Sequence, residues 1–123
     1  MSPLVSSPYS ARFIADENTP DGTSMQPGQV FRKAWILFND GSMPWTSDDI
    51  QLINLVDGIR VAVQPVVPVT APHTRTIVTV DHVCGDQPGT YESHWVLAYR
   101  GRTFGPMIWC AIDVASSPKS NGR

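Results

Sequence analysis

The chain has 123 residues, 41% of them hydrophobic, which is enough for one domain with its own core. Nine basic and eleven acidic residues give a formal charge of −2, which provides no general attraction for nucleic acid or an anionic membrane surface. The first ten residues lack the charged start and apolar run of a signal peptide, and no apolar stretch could span a bilayer. These features predict a cytoplasmic protein without nucleic-acid partners or membrane insertion.

Both ends of the chain are rich in serine and proline. Such composition favours flexible segments and is typical of linkers within a longer polypeptide. We therefore expect a flexible N-terminal linker at 1–10, a folded domain at 11–115 and a flexible C-terminal tail at 116–123.

Strand-like runs alternate with turn clusters between those ends. Asp57-Gly58 indicates a hairpin turn, whereas the prolines of 65–72 exclude a central strand there and predict a blunted sheet edge. No helical periodicity of useful length occurs, and this spacing of turns is typical of an antiparallel sandwich. The sequence predicts an all-β, immunoglobulin-like sandwich of about seven strands: Arg12–Ala15, Val30–Asn39, Ile50–Val56, Ile59–Val63, Thr74–Val83, Thr90–Tyr99 and Met107–Val114.

Four tryptophans occupy recognisable places in this pattern. Trp35 and Trp95 lie in mid-strand and are predicted to pack in the core, although Val30–Asn39 is apolar on both faces. Trp109 precedes Cys110, whose face of the strand is predicted to be the core face, so the Trp109 side chain should point the opposite way. We therefore expect it to be half-buried beneath a loop. Trp45 follows a proline, where its ring either plugs one end of the sandwich, the favoured interpretation, or contacts a ligand.

The run from Asp86 to Tyr91 has the form of a tyrosine corner. In that motif a tyrosine at the start of a strand donates a hydrogen bond back across the preceding connection. Gly89 would permit the tight turn and Tyr91 would anchor the crossing between the sheets.

The two cysteines, Cys84 and Cys110, do not match the placement of an immunoglobulin inter-sheet disulfide. We interpret both as free thiols in a reducing compartment, with Cys110 buried. A structural bridge between them is the alternative.

Ordered motifs run along nearly the whole folded region, from about Arg12 to Val114. These motifs are Pro20-Asp21-Gly22-Thr23, Pro27-Gly28, Phe31-x-Lys33-x-Trp35, Asn39-x-Gly41, Pro44-Trp45, Pro88-Gly89-Thr90-Tyr91-x-Ser93-x-Trp95 and Phe104-Gly105-x-x-x-Trp109. In this order they resemble the four-tryptophan domain, the central domain of the neighbour-of-BRCA autophagy cargo receptors, whereas residues 53–72 depart from the family pattern.

The resemblance implies a non-enzymatic module that binds a protein cargo or adaptor within a selective autophagy receptor. It implies a cytoplasmic location, with any association with autophagosomes conferred by other domains of the full-length protein. A second branch of the family regulates innate immune and inflammatory transcription, and that function is the alternative. An extracellular adhesion module is a further alternative, opposed by the absence of a glycosylation acceptor and an evident bridge.

Catalytic and metal-binding patterns are absent from the sequence. The histidines His73, His82 and His94 fall in a loop and on strand positions that we expect to face outward. No histidine, cysteine or carboxylate spacing matches a metal site, and no nucleophile is paired with a base. We therefore expect neither enzymatic activity nor a cofactor or metal.

Motif residues concentrate in loops, where packing alone demands fewer of them. We expect the Pro20–Thr23 turn and Trp45 to share one end of the sandwich as a recognition site, whose negative charge suits a basic peptide or a free amino terminus. The candidate partner-binding residues are Asp16, Glu17, Asp21, Gly22, Thr23 and Trp45. The oligomeric state stays open.

Overall fold

Strands form along the β-branched and aromatic runs of the chain, as expected from their propensity for pleated, half-buried surfaces. The computed structural model describes residues 8–116, so the predicted tails lie mostly outside the described part and stay predictions. All seven predicted strands are confirmed, β8 beginning at Arg102 rather than at Met107, and an eighth, β2, is added. The strands are β1 (Arg12–Asp16), β2 (Thr23–Met25), β3 (Val30–Phe38), β4 (Ile50–Asp57), β5 (Arg60–Val63), β6 (Arg75–Val83), β7 (Gly89–Tyr99) and β8 (Arg102–Val114).

The strands form two four-stranded sheets that pack face to face. The first sheet has the order β1-β3-β6-β5 and the second the order β2-β8-β7-β4. Every pairing is antiparallel except that of β2 with β8, which is parallel. The predicted immunoglobulin-like sandwich is confirmed.

The hairpin predicted at Asp57-Gly58 is wrong. β4 pairs with β7 in the second sheet, whereas β5 pairs with β6 in the first, so this connection crosses between the sheets. The chain bends at Ile59, immediately after the dipeptide, and the side chain of Ile59 is buried in the core between the sheets. A two-residue hairpin does occur at Arg100-Gly101, where φ is +49° and +83°, the geometry that matches the twist of the flanking strands.

The inward faces of both sheets form one hydrophobic core. Trp35 and Trp95 are buried at its centre, as predicted, and Leu37, Val78 and Ile112 pack with them. Cys84 and Cys110 are free and buried, which confirms the interpretation as free thiols.

The tyrosine corner predicted before β7 is confirmed. The Tyr91 hydroxyl donates a hydrogen bond of 2.9 Å to the carbonyl of Gln87, four residues earlier. This bond fixes the connection through which the chain passes from the first sheet to the second.

The expected outward position of His82 is wrong, because the residue is fully buried. Successive strand residues alternate between faces, and His82 has the parity of the inward Val78 and Val80. Its Nε2 lies 3.1 Å from the Ser93 hydroxyl, which also accepts a 3.1 Å bond from the Trp95 indole. His82 therefore belongs to a buried polar chain that joins the two sheets.

Candidate functional site

The loop after β1 is organised by a lysine inside the sandwich. Lys33 lies on the inward face of β3 and is fully buried. Its ammonium donates to the Asp16 carboxylate at 2.9 Å and to the carbonyls of Asn18 and Thr19 at 2.6 and 2.9 Å. An ammonium has three donors, so these acceptors satisfy it completely. Lys33 is thus a central anchor for the segment from Asp16 to Thr19.

Asn18 fastens the same segment from the outside. Its side-chain amide donates to the carbonyl of Arg32 at 2.8 Å, and its amide oxygen accepts from the backbone of Ala34 at 2.9 Å. The Asn18 side chain thereby makes the two hydrogen bonds to the β3 backbone that a further residue of β1 would otherwise make. The segment from Asp16 to Thr23 is called the acidic loop, and its part from Asp16 to Thr19 is held rigidly against β3.

The Pro20–Thr23 turn forms the second half of the acidic loop and leads into β2. Gly22 has φ of +84°, and the Thr23 amide donates to the Pro20 carbonyl at 3.1 Å. Type II turns require positive φ at their third residue, the position Gly22 occupies. The Gly22 amide also donates to the Ala111 carbonyl at 3.0 Å, so the turn lies against β8.

Trp109 closes the site from the second sheet. Its indole donates to the Asp21 carboxylate at 3.1 Å, yet 43% of the residue remains exposed, in agreement with the predicted half-buried position beside a loop. Its carbonyl accepts a 2.9 Å bond from the Trp35 indole across the sandwich. The two tryptophans hold the acidic loop and β8 in one fixed arrangement.

The loop carries net negative charge even after its internal pairing. Lys33 neutralises Asp16, whereas Glu17 and Asp21 form no ion pair with any residue between 8 and 116. Both residues are exposed. Two uncompensated carboxylates therefore face solvent beside a half-exposed indole.

An apolar groove of about 250 Å³ opens next to the loop, between β1 and β8. Phe13, Pro106, Met107 and Trp109 contribute to its walls, and Asp16 lies at one side. The sequence prediction missed Lys33, Phe13, Pro106 and Met107. Lys33 could have been found, because it shares the strand parity of Trp35, which was predicted to face the core.

Trp45 does not belong to this site, which corrects the expectation that it shares one end of the sandwich with residues 20–23. The residue is fully buried, and its ring centre lies 6.2 Å from that of Phe104, so the favoured interpretation, a structural plug, is the one observed. Trp45 packs on Phe104, whereas the Pro20–Thr23 turn contacts Ala111, and these two residues of β8 are separated by roughly 20 Å along the strand. Trp45 has no surface with which to contact a partner.

Among the described residues, no three histidine, cysteine or carboxylate side chains lie close enough together to bind a metal ion. Residues 8–116 also contain no helix that could cross a membrane.

Comparison with known families decides the relationship of the chain. The family model described as the Ig-like domain from next to BRCA1 gene matches residues 18–114. The chain belongs to this family. The match includes Asn18, the Pro20–Thr23 turn and Trp109, so most of the candidate site lies within the family domain.

Full-length relatives carry the same domain within much longer chains. Next to BRCA1 gene 1 protein is 37% identical to 90% of this chain in Mus musculus and to 89% in Homo sapiens. Protein NBR1 homolog of Arabidopsis thaliana is 32% identical to 90% of it. The chain spans 11%, 12% and 16% of these three proteins.

A solved structure shows the same fold in a distant protein. Native alpha-2-macroglobulin from Escherichia coli superimposes with a TM-score of 0.60 over 87% of this chain and 17% of its own, at 19% identity. This similarity concerns the fold alone.

Proposed function

We propose that this domain is a non-enzymatic protein-recognition module of a selective autophagy receptor in the cytoplasm, where it binds a cargo or adaptor protein. Family membership supports this proposal, because the chain belongs to the family of the Ig-like domain from next to BRCA1 gene and corresponds to 11% and 16% of the length of its mouse and Arabidopsis relatives. An enzymatic role has no support, since the buried His82 and Ser93 have no access to a substrate.

We place the binding surface on the loop of Asp16, Glu17, Asp21, Gly22 and Thr23, with Trp109 replacing Trp45. The observation that carries the proposal is the half-exposed Trp109 indole, which is hydrogen-bonded to Asp21, one of the two carboxylates of the loop without an ion pair. Half-exposed tryptophans are enriched at interaction sites, and rigid elements lose little entropy on binding. The charge of the loop suits a basic peptide or a free amino terminus.

The proposal is tested by capturing cellular proteins on the chain and quantifying the same bound proteins on variants. Asp21→Lys reverses a charge at the loop and releases the Trp109 indole, and Trp109→Ala removes the exposed ring. We expect each to reduce capture of the specific partner about tenfold or more, as for interface hot spots. Asp86→Lys makes the same charge change at an exposed position outside the loop and is expected to retain capture. If both loop variants keep their fold by circular dichroism and bind as the parent does, the proposed surface is refuted.

A further inference from the structure

The exposed aromatic side chains of this domain lie together. Phe13 and Trp109, exposed by 42% and 43%, are more exposed than every other Phe, Tyr or Trp residue between 8 and 116. Both line the groove between β1 and β8, and so does Met107, which is exposed by 44%. Aromatic residues and methionine are the side chains enriched at protein interfaces. The composition of the groove is therefore that of a contact surface.

The size of the groove limits what can occupy it. Its volume of about 250 Å³ is smaller than the roughly 300–1,000 Å³ of small-molecule pockets. Its floor is apolar, formed by the buried Trp35 and Ile108. This space suits one apolar side chain of a partner rather than a cofactor.

Charge at the groove determines what should flank that side chain. Asp16 lines the groove, and Asp21 is bonded to the Trp109 ring that forms one wall. With Glu17 these residues give three carboxylates, of which Asp16 alone is paired, with the buried ammonium of Lys33. A partner whose apolar residue lies close in sequence to a basic residue satisfies both features, whereas an acidic neighbour would be repelled.

We propose that the groove between β1 and β8 binds an internal peptide segment in which an apolar side chain, seated among Phe13, Met107 and Trp109, has a lysine or arginine within two residues on either side, held at Glu17 and Asp21. This inference rests on the proposed protein-binding function and specifies its ligand. Unlike a free amino terminus, such a segment needs no chain end for recognition.

The test is selection of seven-residue peptides, displayed inside a loop so that no free terminus is presented, on the folded chain. The enriched sequences are then synthesised with acetylated amino termini, and their binding is measured by fluorescence anisotropy. We expect enrichment of leucine, methionine, isoleucine or phenylalanine with lysine or arginine within two residues before or after it. We also expect that raising salt weakens binding, because the basic residue meets partly exposed carboxylates.

Matched variants separate the two parts of the site. Met107→Ser removes apolar contact and should weaken binding about fivefold, and Glu17→Lys reverses charge and should weaken it about tenfold. Their controls are Ile77→Ser, at an exposed apolar residue on the outer face of the first sheet, and Asp86→Lys; both should bind as the parent does.

Three outcomes would overturn the inference. These are the absence of enriched peptides, enrichment of peptides that both groove variants bind normally, and binding that requires a free amino terminus. None of them refutes the wider proposal of protein recognition, which depends on capture of folded partners by the Asp21 and Trp109 surface. If Asp21→Lys and Trp109→Ala do not reduce capture of the folded partner while the peptides still bind in the groove, the proposed cargo surface is refuted and the peptide groove is retained.

Discussion

Lys33 shows how a single residue can turn a flexible acidic loop into a fixed one. A buried ammonium is costly unless every donor is paired, and here one carboxylate and two carbonyls of the loop supply the pairing. The Lys33 ammonium also lies 5.7 Å from the centre of the Trp35 ring, within cation–π range. The lysine thus couples the core to the shape of the proposed binding surface.

Replacing Lys33 with methionine should therefore destabilise the domain by about 2 kcal/mol, because the Asn18 and Thr19 carbonyls lose a charged donor inside the protein. The measurement is the free energy of unfolding from urea titration. Arg32→Met is the matched control, since Arg32 pairs with Asp81 at the surface, with 65% of its side chain exposed. Exposed pairs contribute at most about 1 kcal/mol. Equal effects of the two substitutions would contradict the anchoring role.

Individual residues were predicted from sequence where bulk and strand position agree. Trp35 and Trp95 have both features, and the corner around Tyr91 is a local motif whose bond spans four residues. Lys33 has the parity of the core but the chemistry of the surface, and composition rules place lysine outside. Strand parity indicates that Lys33 points inward, but the carbonyls that pair with its ammonium reach it only once the loop after β1 has folded.

At the scale of elements, the connections decide which strands become neighbours. The tyrosine corner controls one of them, the crossing from β6 to β7. Tyr91→Phe removes the 2.9 Å bond to Gln87 and little else, so we expect a loss of about 1 kcal/mol in the free energy of unfolding. Thr90→Val, which removes an exposed bond to Asp113 on the neighbouring strand, should change it by less than about 0.5 kcal/mol. Thermal or urea unfolding of both variants distinguishes a corner bond from a surface bond.

The buried chain from Trp95 through Ser93 to His82 links elements of opposite sheets. The Ser93 hydroxyl accepts from the Trp95 indole and can donate to His82 Nε2, while His82 Nδ1 lies 3.3 Å from the Arg60 carbonyl. All of these bonds suit a neutral imidazole. Burial lowers the pKa of His82 below the ordinary histidine value of about 6.5, although the carbonyls of Arg60 and Ile59 partly oppose this effect.

This lowered pKa predicts a loss of stability in mild acid. As the pH falls through about 6.5, the histidine of the unfolded chain takes up a proton while the folded one stays neutral, so the free energy of unfolding decreases until the folded pKa is reached. The decrease is at most about 1.4 kcal/mol for each pH unit. Urea titrations from pH 7 to pH 5.5 measure it. His82→Gln should reduce the slope in this window, and an unchanged slope in His82→Gln would refute the assignment.

Element pairing was the least predictable level. The eight-strand pattern differs from prediction through β2, a three-residue strand that exists because Gly22 and Thr23 align with β8. No propensity signal marks so short a segment. The Asp57-Gly58 bend was visible, but whether a bend joins two strands of one sheet or of two depends on where β7 and β6 already lie. Groove residues such as Met107 were missed for the same reason, since β1 and β8 meet only in the assembled sandwich.

At the scale of the whole molecule, the sandwich follows from alternation on many strands at once, which is why its class was predictable when its connections were not. The two buried thiols report on how that sandwich opens. Cys110 lies in the middle of β8 with no exposed surface, so reaching it requires the sheets to separate. Cys84 follows the end of β6 and borders a cavity of about 390 Å³ at that end of the sandwich, where a local opening suffices.

Thiol labelling should therefore distinguish the two cysteines. Burial raises the pKa of both thiols, that of Cys110 to about 12, so neither forms the reactive thiolate while folded near neutral pH. We expect an aromatic disulfide reagent to label Cys84, studied in Cys110→Ser, faster and with a shallow dependence on urea, as for local openings. Cys110, studied in Cys84→Ser, should react only through global unfolding, with the urea dependence of the whole transition. Rapid labelling of Cys110 in the folded state would show that the sheets part far more readily than their continuous shared core implies.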